Sequence, residues 1–135
     1  MNVPFLGLAT SNAPLKAAIL EEISSLIDSG AFTNGSQVAA FEKALAEFCG
    51  ARYCVGTASG LDALRLALIG AGDEPSDEAI MPANTFAATI EALVQVGVKP
   101  VLADISESDY SLDPTSVKAA IGRHTRFLLP VHLYG

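Results

Sequence analysis

The apolar positions of the chain follow two periods. Early on they recur every three or four residues. Leu15, Ile19, Ile23, Leu26 and Ile27 share one helical face. Asn12 stands where a cap belongs, and Pro14 is tolerated in a first turn. This spacing predicts a helix over 13–28, stopped by Gly30. Ser36 is the next candidate cap. Val38, Phe41, Leu45 and Phe48 make a second stripe, closed by Gly50. After that, short apolar runs alternate with helical stripes. Residues 52–56 read as a strand. Residues 59–69 read as a helix, with Leu61, Leu64, Ala67 and Leu68 as its core stripe. A strand over 78–81 leads to a helix capped by Asn84 that runs through Thr89 to Val96, where Gly97 ends it. A strand over 100–103 follows. Asp113 and Pro114 open a helix to about Ile121, and 126–131 is a last strand. Alternation with short links predicts an α/β fold, a mainly parallel sheet with flanking helices and right-handed crossovers.

Composition narrows the class. With 135 residues the chain amounts to about one domain. Half of the residues are hydrophobic, which excludes general disorder. Eight Lys and Arg against fifteen Asp and Glu leave a net charge of −7, without the basic excess of a nucleic-acid binder. No continuous apolar run reaches membrane length, and the first residues lack the basic and apolar regions of a secretory signal. Cys49 and Cys54 read as reduced, buried thiols of a cytoplasmic protein. His124 and His132 are the only histidines, and no zinc-ligand spacing occurs, so no metal site is expected.

Four segments are candidates for chemistry. Gly56-Thr57-Ala58-Ser59-Gly60-Leu61-Asp62-Ala63-Leu64 runs from a predicted strand through small residues into a helix. Free amides and the positive end of a helix dipole make such a turn a phosphate cradle, to which the Ser59 hydroxyl could add a donor. An ordinary tight turn with Ser59 as the cap fits equally. No Gly-Lys-Ser/Thr follows, so it is not a Walker loop, and the spacing of a nucleophile elbow is absent. The run from Gly70 to Pro75 follows a helix and lacks the last glycine of a dinucleotide fingerprint. In Met81-Pro82-Ala83-Asn84-Thr85-Phe86-Ala87-Ala88-Thr89, Phe86 could stack on a planar ring or pack as a core residue. Asp104, at a strand end, could meet a ligand or cap the next turn. His132 and Tyr134 follow the last strand, where a histidine could exchange protons or simply be hydrogen-bonded.

Several motifs occur in one order. They are Asn34-Gly35-Ser36-Gln37-Val38 with Phe41-Glu42; Phe48-Cys49-Gly50; Ala58-Ser59-Gly60-Leu61-Asp62-Ala63-Leu64; Pro82-Ala83-Asn84-Thr85-Phe86-Ala87-Ala88-Thr89; Asp104-Ile105; and Pro130-Val131-His132-Leu133-Tyr134-Gly135. In this set the chain resembles the amino-terminal third of the DegT/DnrJ/EryC1/StrS sugar aminotransferases, over essentially all 135 residues. The resemblance implies the amino-terminal part of the large domain of fold type I enzymes that use pyridoxal 5'-phosphate (PLP). It implies transfer of an amino group from glutamate or glutamine to a nucleotide-linked keto-sugar. The Gly-Leu-Asp-Ala-Leu form resembles the branch acting on 3-keto deoxysugars.

By the same resemblance Ser59, Gly60 and Leu61 would hold the PLP phosphate, largely through backbone amides, and Phe86 would stack on the pyridine ring. Leu61 lacks the hydroxyl that threonine supplies there in some relatives. The family's Schiff-base lysine and its acidic partner are expected beyond Gly135. None of Lys16, Lys43, Lys99 and Lys118 matches that position, so the expectation is a truncated chain, inactive alone. The resemblance further implies a homodimer in which 34–37 approaches a neighbour's site. A PLP-dependent sugar dehydratase of the same family, with histidine replacing the lysine, and a non-catalytic binding fragment are the alternatives.

Overall fold

The computed structural model describes Val3 and residues 7–134. The chain divides into two compact units, residues 1–56 and 57–135.

The first unit is helical among its described residues. α1 spans Leu8–Asn12, a 3-10 turn spans Ala13–Leu15, α2 spans Lys16–Ser29 and α3 spans Ser36–Cys49. The helix expected from 13 is therefore preceded by α1, opens as a 3-10 turn around Pro14, and becomes α-helical at Lys16. Asn12 makes no side-chain cap, and Gly35 rather than Ser36 holds the N-cap of α3. The predicted ends hold. Gly30 and Gly50 take left-handed conformations at φ 67° and 65°, where an L side chain would be strained. The predicted stripe is not buried. Ile19, Ile23 and Ile27 are exposed, and Ala46 is the one buried residue among those described in this unit.

Residues 52–56 do not form the expected strand. A strand exists only through a ladder with a neighbour, and no strand among the described residues pairs with this run. Its Gly56 amide instead donates to the Glu42 carboxylate at 2.6 Å. Cys49 is exposed at the end of α3 and Cys54 is half-buried, so the expectation of two buried thiols fails for Cys49.

The second unit is built on a three-stranded parallel sheet in the order β2-β1-β3. β1 spans Glu78–Pro82, β2 Lys99–Ala103 and β3 Thr125–Leu128. α4 (Gly60–Gly70), α5 (Ala88–Val96) and α6 (Pro114–Ala120) connect and cover it. Glu78 to Pro82 run in register with Lys99 to Ala103. Pro100 has no amide hydrogen and is tolerated because β2 is an outer strand. β3 stops at Leu128, short of the expected 131. Leu129 still donates its amide to Ile80 at 2.9 Å, but Pro130 cannot extend the ladder. The core lies where Ala79 and Met81 of β1 meet Leu68, Leu93 and Val98, with Ile90, Val96, Phe127 and Leu129 packed around them. Central β1 is buried on both faces, as parallel strands require, and Ile80 is fully buried.

Charge secures the amino edge of the sheet. Lys99 Nζ lies 2.8 Å from Glu78 Oε1. On the other side Arg126 approaches Asp77 at 3.7 Å and donates to the Ala71 carbonyl at 3.3 Å. That last bond orients α4. Its carboxyl end meets the amino edge of the sheet, so its amino end points to the opposite, carboxyl edge. Eleven residues at ~1.5 Å each make a helix as long as a five-residue strand at ~3.3 Å.

Candidate functional site

Open α/β sheets bind ligands beyond the carboxyl ends of their strands. Three loops leave that edge, after β1, β2 and β3, and the amino terminus of α4 reaches it.

Ser59 is the N-cap of α4, in extended conformation, and its hydroxyl oxygen accepts the Asp62 amide at 3.1 Å. The same hydroxyl donates to Asp62 Oδ2 at 3.4 Å. The cap reading of Ser59 therefore holds, and its hydroxyl proton is directed to Asp62 and not outward as an additional donor. Thr57 Oγ1 donates to the Ser59 carbonyl at 3.0 Å and braces the turn. Ala63 is the first amide of the helical ladder, donating to Ser59 at 3.0 Å. The amides of Gly60 and Leu61 precede that ladder and have no acceptor among the described residues. A Cβ built on Gly60 would meet open space. The turn thus offers backbone donors, a helix dipole and room for an anion. Asp62, in the same turn, would repel an anion, but Arg65 Nη2 neutralises its carboxylate at 2.9 Å. Leu61 supplies its amide alone. These features fit the phosphate of PLP.

Phe86 is not the core residue it could have been. The residue is 77% exposed. The cause is local: α5 starts only at Ala88, so Ala87, and not Asn84, is its N-cap, without a side-chain hydrogen bond. Phe86 stays on the loop, where its carbonyl accepts the Thr89 amide at 3.1 Å. Thr85 and Thr89 share a hydroxyl hydrogen bond at 3.0 Å, which seats the loop on the buried Thr89.

Asp104 takes the structural role. Its Oδ1 accepts the Ile105 amide at 2.8 Å, and its carbonyl accepts the Asp113 amide at 3.0 Å. Asp113 caps α6 as expected, accepting the amides of Thr115 and Ser116 at 3.1 and 3.0 Å, with Pro114 in the first turn. His132 and Tyr134 are exposed on the loop after β3. Tyr134 meets Tyr110 edge-to-face, with ring centroids 5.4 Å apart. Sequence reasoning missed Tyr110, whose backbone is left-handed at φ 59°. The nearest signal was the serine- and aspartate-rich run around it.

Lys99 is bound to Glu78 at the amino edge. That hydrogen bond holds the Glu78 carboxyl below its usual range, opposed by partial desolvation and helped by the charges of Lys99 and His124. No cluster of three or more metal-ligating side chains occurs among the described residues. Nor, among them, is any helix long and apolar enough to cross a membrane.

The second unit is thus an α/β domain: a parallel sheet with a helix amino terminus and an exposed aromatic residue at its carboxyl edge. Comparison makes this specific. The model of the DegT/DnrJ/EryC1/StrS aminotransferase family matches residues 14–135, and the chain belongs to that family. It is 42% identical over 98% of its length to a dTDP-3-amino-3,4,6-trideoxy-alpha-D-glucose transaminase of Streptomyces venezuelae, and spans 35% of that protein. It is 41% identical over 87% of its length to a 3-oxo-glucose-6-phosphate:glutamate aminotransferase of Bacillus subtilis, spanning 26% of it. Among solved structures, S. venezuelae DesV in complex with a ketimine intermediate superposes with a TM-score of 0.90 at 42% identity, over 98% of this chain and 36% of that one. NtdA of B. subtilis with bound cofactor PMP superposes with a TM-score of 0.89 at 39% identity, over 99% and 31%. The fold is accordingly that of the amino-terminal part of these PLP-dependent enzymes.

Proposed function

We propose that the second unit supplies the phosphate-holding part of a PLP site in an aminotransferase whose acceptor is a nucleotide-linked keto-sugar. One observation carries this reading: the open amino terminus of α4 and the bare ring of Phe86 both lie at the carboxyl edge of the same sheet. The amides of Gly60 and Leu61 bind the phosphate. Ser59 holds the turn in shape through its bonds to Asp62. Phe86 stacks on the pyridine ring. When bound, PLP supplies an electron sink and carries the amino group between donor and acceptor.

The names of the relatives favour a sugar ketone at carbon 3. They include a dTDP-3-amino sugar transaminase, a UDP-2-acetamido-2-deoxy-3-oxo-D-glucuronate aminotransferase from Pseudomonas aeruginosa and the 3-oxo-glucose-6-phosphate enzyme, whose name gives glutamate as donor. We take glutamate or glutamine as the donor here, in a cytoplasmic homodimer. Residues 1–135 alone are inactive in this reading. Of the two lysines of the second unit, Lys99 is committed to Glu78 at the amino edge and Lys118 sits in the last turn of α6.

The test expresses the source gene at full length and supplies glutamate with a nucleotide-linked 3-keto-sugar. An amino-sugar nucleotide and 2-oxoglutarate should form in equal amounts. Loss of a sugar hydroxyl without glutamate consumption would make the protein a dehydratase. No change in either substrate would defeat the reading, and amino transfer by residues 1–135 alone would defeat the inactivity.

A further inference from the structure

The excursion between β2 and α6 is closed like a narrow hairpin. Asp113 donates to Asp104 at 3.0 Å and Ser106 to Ser111 at 2.8 Å, and Ile105 and Leu112 form an antiparallel bridge. Its tip is stapled from within. Tyr110 donates its amide to the Ser106 carbonyl at 3.0 Å, and Ser111 donates its amide to Asp109 Oδ1 at 2.9 Å. This frame holds Tyr110 at φ 59°, a conformation that glycine or asparagine adopts freely and a bulky residue does not. Held strain of this kind clusters at ligand-contacting positions. The ring it presents is half exposed and meets the exposed ring of Tyr134 at 5.4 Å and an interplanar angle of 66°. Tyr110 follows β2 and Tyr134 follows β3, while β1 lies between these strands. The pair therefore joins the loops that follow the two strands flanking β1.

The surroundings select the occupant. Residues 104–113 carry Asp104, Glu107, Asp109 and Asp113 and no lysine or arginine. Such a loop repels phosphate. It suits a neutral ring that lays C–H groups on an aromatic face.

We propose that Tyr110 and Tyr134 form the contact for the sugar ring of the amino acceptor, apart from the phosphate-binding turn of α4. This rests on the aminotransferase reading above.

The test uses the full-length product and equilibrium binding of UDP-glucose and dTDP-glucose, with UDP and dTDP as sugar-free controls. Tyr110→Gly and Tyr134→Ala should weaken both sugar nucleotides about tenfold and leave the sugar-free nucleotides unchanged. Tyr110→Phe and Tyr134→Phe should retain most of the affinity, because the ring remains. Tyr110→Gly relieves the left-handed strain, so its melting temperature should not fall, which separates lost contact from lost fold. Equal weakening of sugar nucleotides and sugar-free nucleotides, or no weakening, overturns the proposal. If wild type transfers amino groups while the variants bind sugar nucleotides normally, only this inference fails. If wild type neither transfers amino groups nor binds the sugar nucleotides, both fail.

Discussion

The two ends of the sheet in the second unit solve opposite problems. At the amino edge the charged groups of β1 and of the residue before it are answered. Glu78 takes Lys99 from one neighbouring strand, and Asp77 takes Arg126 from the other. At the carboxyl edge polar groups are spent on loops and caps, as at Ser59, Asp104 and Asp113, while amides and aromatic rings face outward. One end ties neighbouring strands together through charge; the other leaves donors and aromatic surfaces open. If the carboxyl edge binds phosphate as proposed, stability and binding are separated along the strand axis, and substitutions at the two ends should report differently.

Both edges hang on one core, so the largest effect should come from between them. Leu93→Ala should lower stability by ~2–5 kcal/mol in urea unfolding, because Leu93 is fully buried against Met81 and Val98. A smaller loss would mean that the edges hold the unit without its core. Asp113→Ala removes the acceptor for two amides of α6 and should cost ~0.5–2 kcal/mol in the same measurement. Gly60→Ala sharpens the contrast. Its Cβ meets no protein atom, so stability should be unchanged or rise by ~0.4–1 kcal/mol. Phosphate or PLP binding, followed by titration, should weaken, because the methyl group enters the space left for the anion. Weaker folding with normal binding would refute the cradle.

The smallest effect belongs to the amino edge. The folded-state pKa of Glu78 is lowered, chiefly by its hydrogen bond to Lys99. Its contribution to stability is therefore present above the unfolded carboxylate value of about 4.3 and is lost as pH falls through the lower folded value. Lys99→Met should flatten that dependence. The Lys99 side chain is 70% exposed, so the change should be slight and should shrink in high salt.

Much of the second unit was legible in the sequence because its signals are local and agree. Asp113-Pro114 starts a helix, Gly97 ends one, and the apolar runs at 78–82 and 99–103 have each other as partners. Residues 52–56 have the same apolar look but no partner, and pairing is not written in the segment itself. The stripe of α2 shows the same limit: period predicts the face, while burial depends on what lies against it. At the site, Ser59 was readable as a cap, and it is one, because a small hydroxyl before a helical stripe is a local signal. The exposure of Phe86 was not, because it depends on α5 starting at Ala88 instead of after Asn84. Tyr110 escaped notice because a left-handed backbone is usually signalled by glycine or asparagine.

The placement of Pro100 and Lys99 has a consequence for growth of the sheet. Both lie on β2, and proline and lysine are the residues that discourage a further strand from adding to an edge. β3 carries no proline within its span and presents Thr125, Arg126, Phe127 and Leu128 on the opposite side. Of the two outer strands, β2 is therefore the less open to a further strand, because Pro100 offers no amide hydrogen there.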